Sequence, residues 1–243
     1  MPYRRLPNTD VARIRAINAA IRMGEKLLPS ELAFSSAHYV KAKSFLPAFL
    51  QAVDTHNKSH TNQAKNNKAY IESFKKVKLY LSHFVQVLNL AIIRKEIPEP
   101  DRKYYGIEKS DKRVPNMNTE NQVLEWGKKI IAGETERVAK SGNAILSPRI
   151  AVVKVWYDKY VDCHRFQRTL QDINVRALTK VVATRAEADK LILNIWNEVE
   201  EKFSKLSPEE MRTKAKDYGI IYVLRKNEKM KADSTIIQFA KTA

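Results

Sequence analysis

Glycine is scarce in this 243-residue chain: 6 residues, about 2.5%, against a usual share of about 7%. Proline is also low at 9, and there is one cysteine. Sheet-rich folds need many tight turns, and tight turns draw on glycine wherever φ must be positive. The chain is therefore poorly equipped for an antiparallel sheet. A glycine-rich phosphate loop is disfavoured for the same reason. A lone cysteine, Cys163, excludes an intrachain disulfide and a multi-cysteine zinc site, and fits a reducing compartment.

Other absences narrow the function classes. No stretch approaches about 18 consecutive apolar residues; the best run, 87–93, is interrupted by Asn89. The basic N-terminus is not followed by an apolar segment of about 7–15 residues, so no secretory signal is expected. The expected location is cytoplasmic. No Glu-x-x-His motif occurs, which argues against a ferritin-like di-iron centre. No Gly-x-Ser-x-Gly, Walker-type or dinucleotide fingerprint occurs either. His56 and His60 are spaced so that one helix face would carry both, but they lie in an Asn- and Lys-rich stretch beside Lys58. Cys163 and His164 are adjacent, so on a helix they point about 100° apart and make no nucleophile–base pair. No metal, cofactor or catalytic residue is assigned, and an enzyme is the least supported class.

What the chain has in abundance is positive charge. Lys and Arg number 44 against 27 Asp and Glu, a net +17, within an ordinary globular balance of 44% hydrophobic residues. A surplus of this size predicts attraction to polyanions.

It also has apolar stripes at helical spacing. Thr9 or Asp10 can cap a helix starting near Val11 and stopping at Pro29. Residues 36–53 carry a stripe through Val40, Leu46, Phe49, Leu50 and Val53, with Pro47 a candidate kink. The polar stretch 55–68 reads as a loop or a pair of helix ends, with Asn66 and Asn67 as caps. A second stripe follows through Ile71, Phe74, Val77, Leu81, Val85, Leu88 and Ile92. Residues 97–118 read as a linker, and 119–141 as a shorter helix capped by Thr119. Residues 149–183 form a third long helix, and Thr184 with Glu187 looks like a capping box restarting a fourth, through Leu191, Ile195, Val199 and Phe203. Ser207-Pro208-Glu209-Glu210 is another capping box, ending at Gly219. The run 220–224 is the one strand-like segment.

Two stretches resemble each other. Each follows a long helical segment with Pro and acids, passes basic residues, and reaches Tyr-Gly-Ile: Tyr105-Gly106-Ile107 and Tyr218-Gly219-Ile220, 113 residues apart. Gly just past a short helix can take positive φ and end it, with Ile burying back. The fold expected is thus all-α: a four-helix bundle of long antiparallel helices, built as two helical-hairpin repeats. The parts are a basic arm and helix (1–35), a first hairpin with linker (36–118), a second hairpin (119–225) and a flexible tail (226–243), with 36–225 expected as one compact domain.

The charge is uneven along the chain: +7 over 36–96, +4 over 148–183 and −1 over 184–206. Candidate polyanion contacts are Arg4 and Arg5 in the arm, Lys58, Lys65, Lys68, Lys75, Lys76 and Lys78 in the first hairpin, and Arg165, Arg168 and Arg176 in the third long helix. No helix-turn-helix, zinc-finger, RNP or KH signature supports base readout. The first expectation is a non-catalytic protein that engages a polyanion, DNA or RNA above all, through phosphate contacts. The alternative is a structural subunit that self-associates into a homo-oligomer or packs on an acidic protein partner. The third is a ligand carrier or enzyme using Trp156, Tyr157 and Tyr160.

Overall fold

The computed structural model of the chain describes residues 2–108, 113–140 and 142–225. The tail expected over 226–243 lies outside them. The protein is all-α, with long helices packed antiparallel and one small two-stranded sheet. In order come β1 (Tyr3–Arg4), α1 (Asp10–Lys26), α2 (Ser36–Ile93), a 3-10 helix (Glu99–Tyr105), α3 (Glu120–Ala139), α4 (Ile150–Lys202), α5 (Pro208–Asp217) and β2 (Tyr222–Val223).

Most of the stripe residues pack inward, although Val40, Leu50 and Ile71 are exposed, and two of the expected breaks are absent. The polar stretch 55–68 does not loop; it is the middle of α2, 58 residues long, and Asn66 and Asn67 are interior. The reason is chemical. Here the helix–helix contact is made by polar groups: the Ser59 hydroxyl donates to Asn174 Oδ1 at 3.0 Å and Asn174 Nδ2 donates to Gln63 Oε1 at 2.8 Å. With no Gly or Pro in the stretch, nothing interrupts the backbone ladder. Likewise Thr184 does not cap a new helix. Its hydroxyl donates back to the carbonyls of Lys180 and Val181 at 3.1 and 3.0 Å, a pattern compatible with a continuing helix, and α4 runs 53 residues. Pro47 also lies inside α2 without ending it.

The true ends are capped as the sequence predicts. Thr9 Oγ1 accepts from the Ala12 amide at 3.2 Å to open α1. Thr119 with Gln122 and Ser207 with Glu210 form capping boxes at α3 and α5, the latter with Pro at the start. α1 ends at Lys26, ahead of Pro29.

The chain divides into two units. Unit 1 comprises 1–58 and 175–243; unit 2 comprises 59–174. In unit 1, α1, the first part of α2, the last part of α4 and α5 enclose a core that includes Ile17, Leu46, Phe49, Leu191, Ile195 and Trp196. β1 pairs antiparallel with β2, Tyr3 opposite Val223. In unit 2, the rest of α2, the 3-10 helix, α3 and the first part of α4 enclose Val77, Leu81, Phe84, Tyr105, Ile130, Val153 and Tyr160.

The order short helix, long helix, terminal short element occurs twice along the chain, and each unit joins the start of one series to the end of the other. In unit 1 α5 contacts α1; in unit 2 the 3-10 helix contacts α3. A Tyr-Gly-Ile segment closes each of these short elements. Gly106 and Gly219 both have positive φ, 68° and 84°, which lets the chain reverse after its short helix. Ile107 and Ile220 then bury, as do Tyr105 and Tyr218. Tyr218 Oη accepts the Ala33 amide at 3.3 Å.

Tyr105 is held by a buried charge pair. Glu134 and Arg137, on α3, are 0% and 2% exposed. Arg137 Nη2 donates to Glu134 Oε2 at 2.9 Å, and Arg137 Nε donates to Tyr105 Oη at 2.8 Å. The Tyr105 hydroxyl donates to Glu134. The Ile145 amide donates to Glu134 Oε1 at 3.0 Å, and Arg137 donates to the Asn143 carbonyl at 2.7 Å. The pair thus ties the 3-10 helix, α3 and the loop before α4 into one unit. Removing one partner strands a buried charge, at a cost of about 3–5 kcal/mol; replacing both with apolar side chains of similar volume costs less. Glu134→Ala is expected to lower the denaturant-derived unfolding free energy by about that amount, and the double variant Glu134→Leu/Arg137→Met by less. A loss in Glu134→Ala below about 1 kcal/mol would contradict this role.

Candidate polyanion interface

α2 carries eight lysines and two acids, Asp54 and Glu72. Because it is continuous, its lysines have fixed angular positions. In unit 2, Lys65, Lys68, Lys75 and Lys76 are exposed. At about 100° per residue all four fall on the half of α2 opposite the core residues Phe74, Val77 and Leu81, with Lys65 and Lys76 only about 20° apart. Among the described residues no carboxylate lies within ion-pair distance of Lys65, Lys68 or Lys75. Lys78 is turned to one side, where its ammonium donates to Asn118 Oδ1 at 2.6 Å just before α3.

The arginines of α4 in unit 2 differ from one another. Arg165 is exposed. Arg168 donates to Glu120 Oε2 at 3.0 Å, so its charge is partly matched. The remaining candidates belong to unit 1. Arg4 donates to Glu200 at 2.8 Å and to Asn197 at 2.9 Å, and Lys58 pairs with Asp54 one helical turn away at 2.7 Å. Arg5 and Arg176 are exposed. Of the eleven candidates, the four lysines of α2 in unit 2 are the set gathered on one helix face.

Two constellations escaped the sequence. The first surrounds Glu120, the opening residue of α3. It accepts the Tyr70 hydroxyl, the Arg168 guanidinium and an imidazole contact from His164 Nε2 at 3.2 Å. It borders an open cleft of about 470 Å³ whose lining includes Tyr70, Ile71, Phe74 and Asn118. The second surrounds Trp156 on α4. Tyr80 of α2 stacks on it with ring centroids 5.8 Å apart and planes 11° apart. Lys76 Nζ stands 4.4 Å and Lys159 Nζ 5.1 Å from the indole centroid. The signal was available in the spacings: Lys76 to Tyr80 is four residues and Trp156 to Lys159 is three, both same-face intervals on a helix. What the sequence could not supply was the register of α2 against α4.

Two histidines meet carboxylates: His38 Nδ1 meets Glu198 at 2.8 Å, and His164 meets Glu120. Tyr157 donates to the Leu124 carbonyl at 2.9 Å and Tyr160 is buried. Among the described residues there is no group of three or more His, Cys, Asp or Glu placed to hold a metal, and no helix long and apolar enough to cross a membrane. Comparison of the chain with family models, curated proteins and solved structures finds no match.

Glu120 also sets an acid sensitivity. The Tyr70 hydrogen bond, then His164 and Arg168, hold its carboxyl below its usual value of 4.5 despite partial burial. Burial, with the Glu120 contact adding to it, pushes the Tyr70 hydroxyl up. A carboxyl depressed in the folded state adds stability above its unfolded value, and that stability is lost as pH falls through the folded value. The Tm of the native chain is expected to exceed that of Glu120→Gln at pH 6, with the gap closing as pH falls below about 4.5. A gap that stays constant from pH 6 to pH 3 in thermal melts would contradict the assignment.

Proposed function

We propose that this protein is a non-catalytic polyanion-binding protein that engages nucleic acid through Lys–phosphate contacts, without reading base sequence. One observation carries the reading: Lys65, Lys68, Lys75 and Lys76 stand exposed on one face of α2 in unit 2, the first three with no ion-pair partner among the described residues. Lysines held on a rigid helix can meet successive phosphates and release condensed counterions. Phosphate contacts of this kind give affinity and orientation but carry no sequence information. The net charge of +17 adds a long-range attraction that favours encounter.

A second reading, a subunit that packs on a protein partner or on itself, is favoured by a later stretch of α2. Residues 79–93 contain no charged side chain, and Leu79, Leu90 and Ile93 are 65%, 52% and 63% exposed. Static light scattering tests the self-association arm; a monomer over a broad concentration range counts against it.

The polyanion reading predicts a steep salt dependence. Each phosphate neutralised on duplex DNA contributes about −0.9 to the slope of log K against log salt. The variant Lys65→Glu/Lys68→Glu/Lys75→Glu is expected to bind a random-sequence duplex more weakly and with a slope shallower by about 2–3. Affinity that is absent in the native chain, or unchanged between about 50 and 200 mM salt, would overturn the reading.

A further inference from the structure

The Trp156 constellation has a feature that simple packing does not require. Two ammoniums stand over one indole, Lys76 from α2 and Lys159 from α4, while Tyr80 stacks against the same ring. Each lysine has an acid at ion-pairing distance along its own helix: Glu72 lies four residues before Lys76, and Asp162 three residues after Lys159. Among the described residues neither lysine forms that ion pair; both ammoniums sit on the ring. Two like charges, each within 5.1 Å of one ring centroid, repel, and an anion that bridges them relieves that repulsion. Beneath them is a half-buried aromatic pair. Lys65 lies on nearly the same stripe of α2 as Lys76, about 16 Å away along the helix axis at 1.5 Å per residue, so a cationic track leads to the aromatic pair.

We infer that Lys76, Lys159, Trp156 and Tyr80 form a binding site for single-stranded nucleic acid, with a backbone phosphate between the two ammoniums and the adjoining unpaired base on the Trp156–Tyr80 surface. This rests on the polyanion reading and narrows it to one substrate class. In the free chain the ammoniums occupy the indole through cation–π attraction. A phosphate draws them into ion pairs and clears the ring for a base. Base–aromatic stacking tolerates any sequence, because every base has a π-face. A duplex cannot use the site in this way, since its bases are already stacked on one another and their faces are inaccessible. Duplex is left with the phosphate term alone.

The test compares three probes on the full chain: a 12-residue oligothymidylate, a 12-base-pair duplex, and heparin as a polyanion without bases. Tryptophan emission and equilibrium affinity are both read. The chain has three tryptophans, Trp126, Trp156 and Trp196, so the Trp156→Phe variant removes the reporting fluorophore while keeping an aromatic face. Oligothymidylate is expected to quench the native emission, and the quenching is expected to disappear in Trp156→Phe but persist in Trp126→Phe. Trp156→Ala is expected to weaken oligothymidylate binding about fivefold or more while leaving heparin within about twofold. Quenching that survives in Trp156→Phe overturns the inference, as does an equal loss of oligothymidylate and heparin in Trp156→Ala. Far-UV circular dichroism checks that Trp156→Ala folds; where it does not, the Trp156→Phe quenching result decides. Should the native chain bind duplex and heparin with no contribution from Trp156, this site fails and the polyanion reading stands. Should it bind none of the three, both fall.

Discussion

The structure depends on keeping two helices uncut. α2 and α4 are 58 and 53 residues long, far beyond the usual three or four turns, and each supplies apolar residues to both units. Most of the stability of a helix in a protein comes from the packing of its apolar face, and these two persist because that face is covered. In unit 2 the covering comes from α3 and the 3-10 helix; in unit 1 it comes from α1 and α5. The scarcity of glycine is the compositional face of this constraint. The two glycines whose φ is positive stand at the ends of the terminal short elements, and there the chain turns back to seal the core.

Because the helices are continuous, the side chains on them have an angular address. Lysines that would be scattered on a flexible loop are instead held along one face of α2. The same continuity brings Lys76 and Tyr80 against Trp156 and Lys159, four residues from two helices far apart in sequence. The Glu120 cluster and the Glu134–Arg137–Tyr105 network act differently: their charges are matched internally, so they fix α3 and the 3-10 helix and add nothing to the outward field. Electrostatics in this protein thus divide between paired charges that hold elements together and unpaired cations that face solvent.

Much of this was legible in the sequence. The helical class followed from missing glycine and from stripes such as Val77, Leu81, Val85 and Leu88. The Tyr-Gly-Ile segments pointed to the positive φ at Gly106 and Gly219. Thr119, Ser207 and Pro208 marked helix starts because capping is a local interaction. The errors arose where a local rule met a longer-range partner. Residues 55–68 read as a loop or a pair of helix ends because they carry no apolar stripe; Ser59, Gln63 and Asn174 pack through hydrogen bonds instead. Thr184 looked like a cap because Thr and Glu at that spacing form one when the helix begins there, yet the hydroxyl bonds backward. The Trp156 and Glu120 clusters depend on the register between helices, which no single segment encodes.

The central claim is that α2 runs unbroken through its polar middle, since the face that presents Lys65 and Lys68 exists only if it does. Native-state amide hydrogen exchange across residues 59–68 tests this directly. The account predicts protection in these amides, as expected of helical hydrogen bonds within a packed unit. Exchange across 59–68 at the rate of an unstructured chain, with protection retained at 77–88, would contradict it.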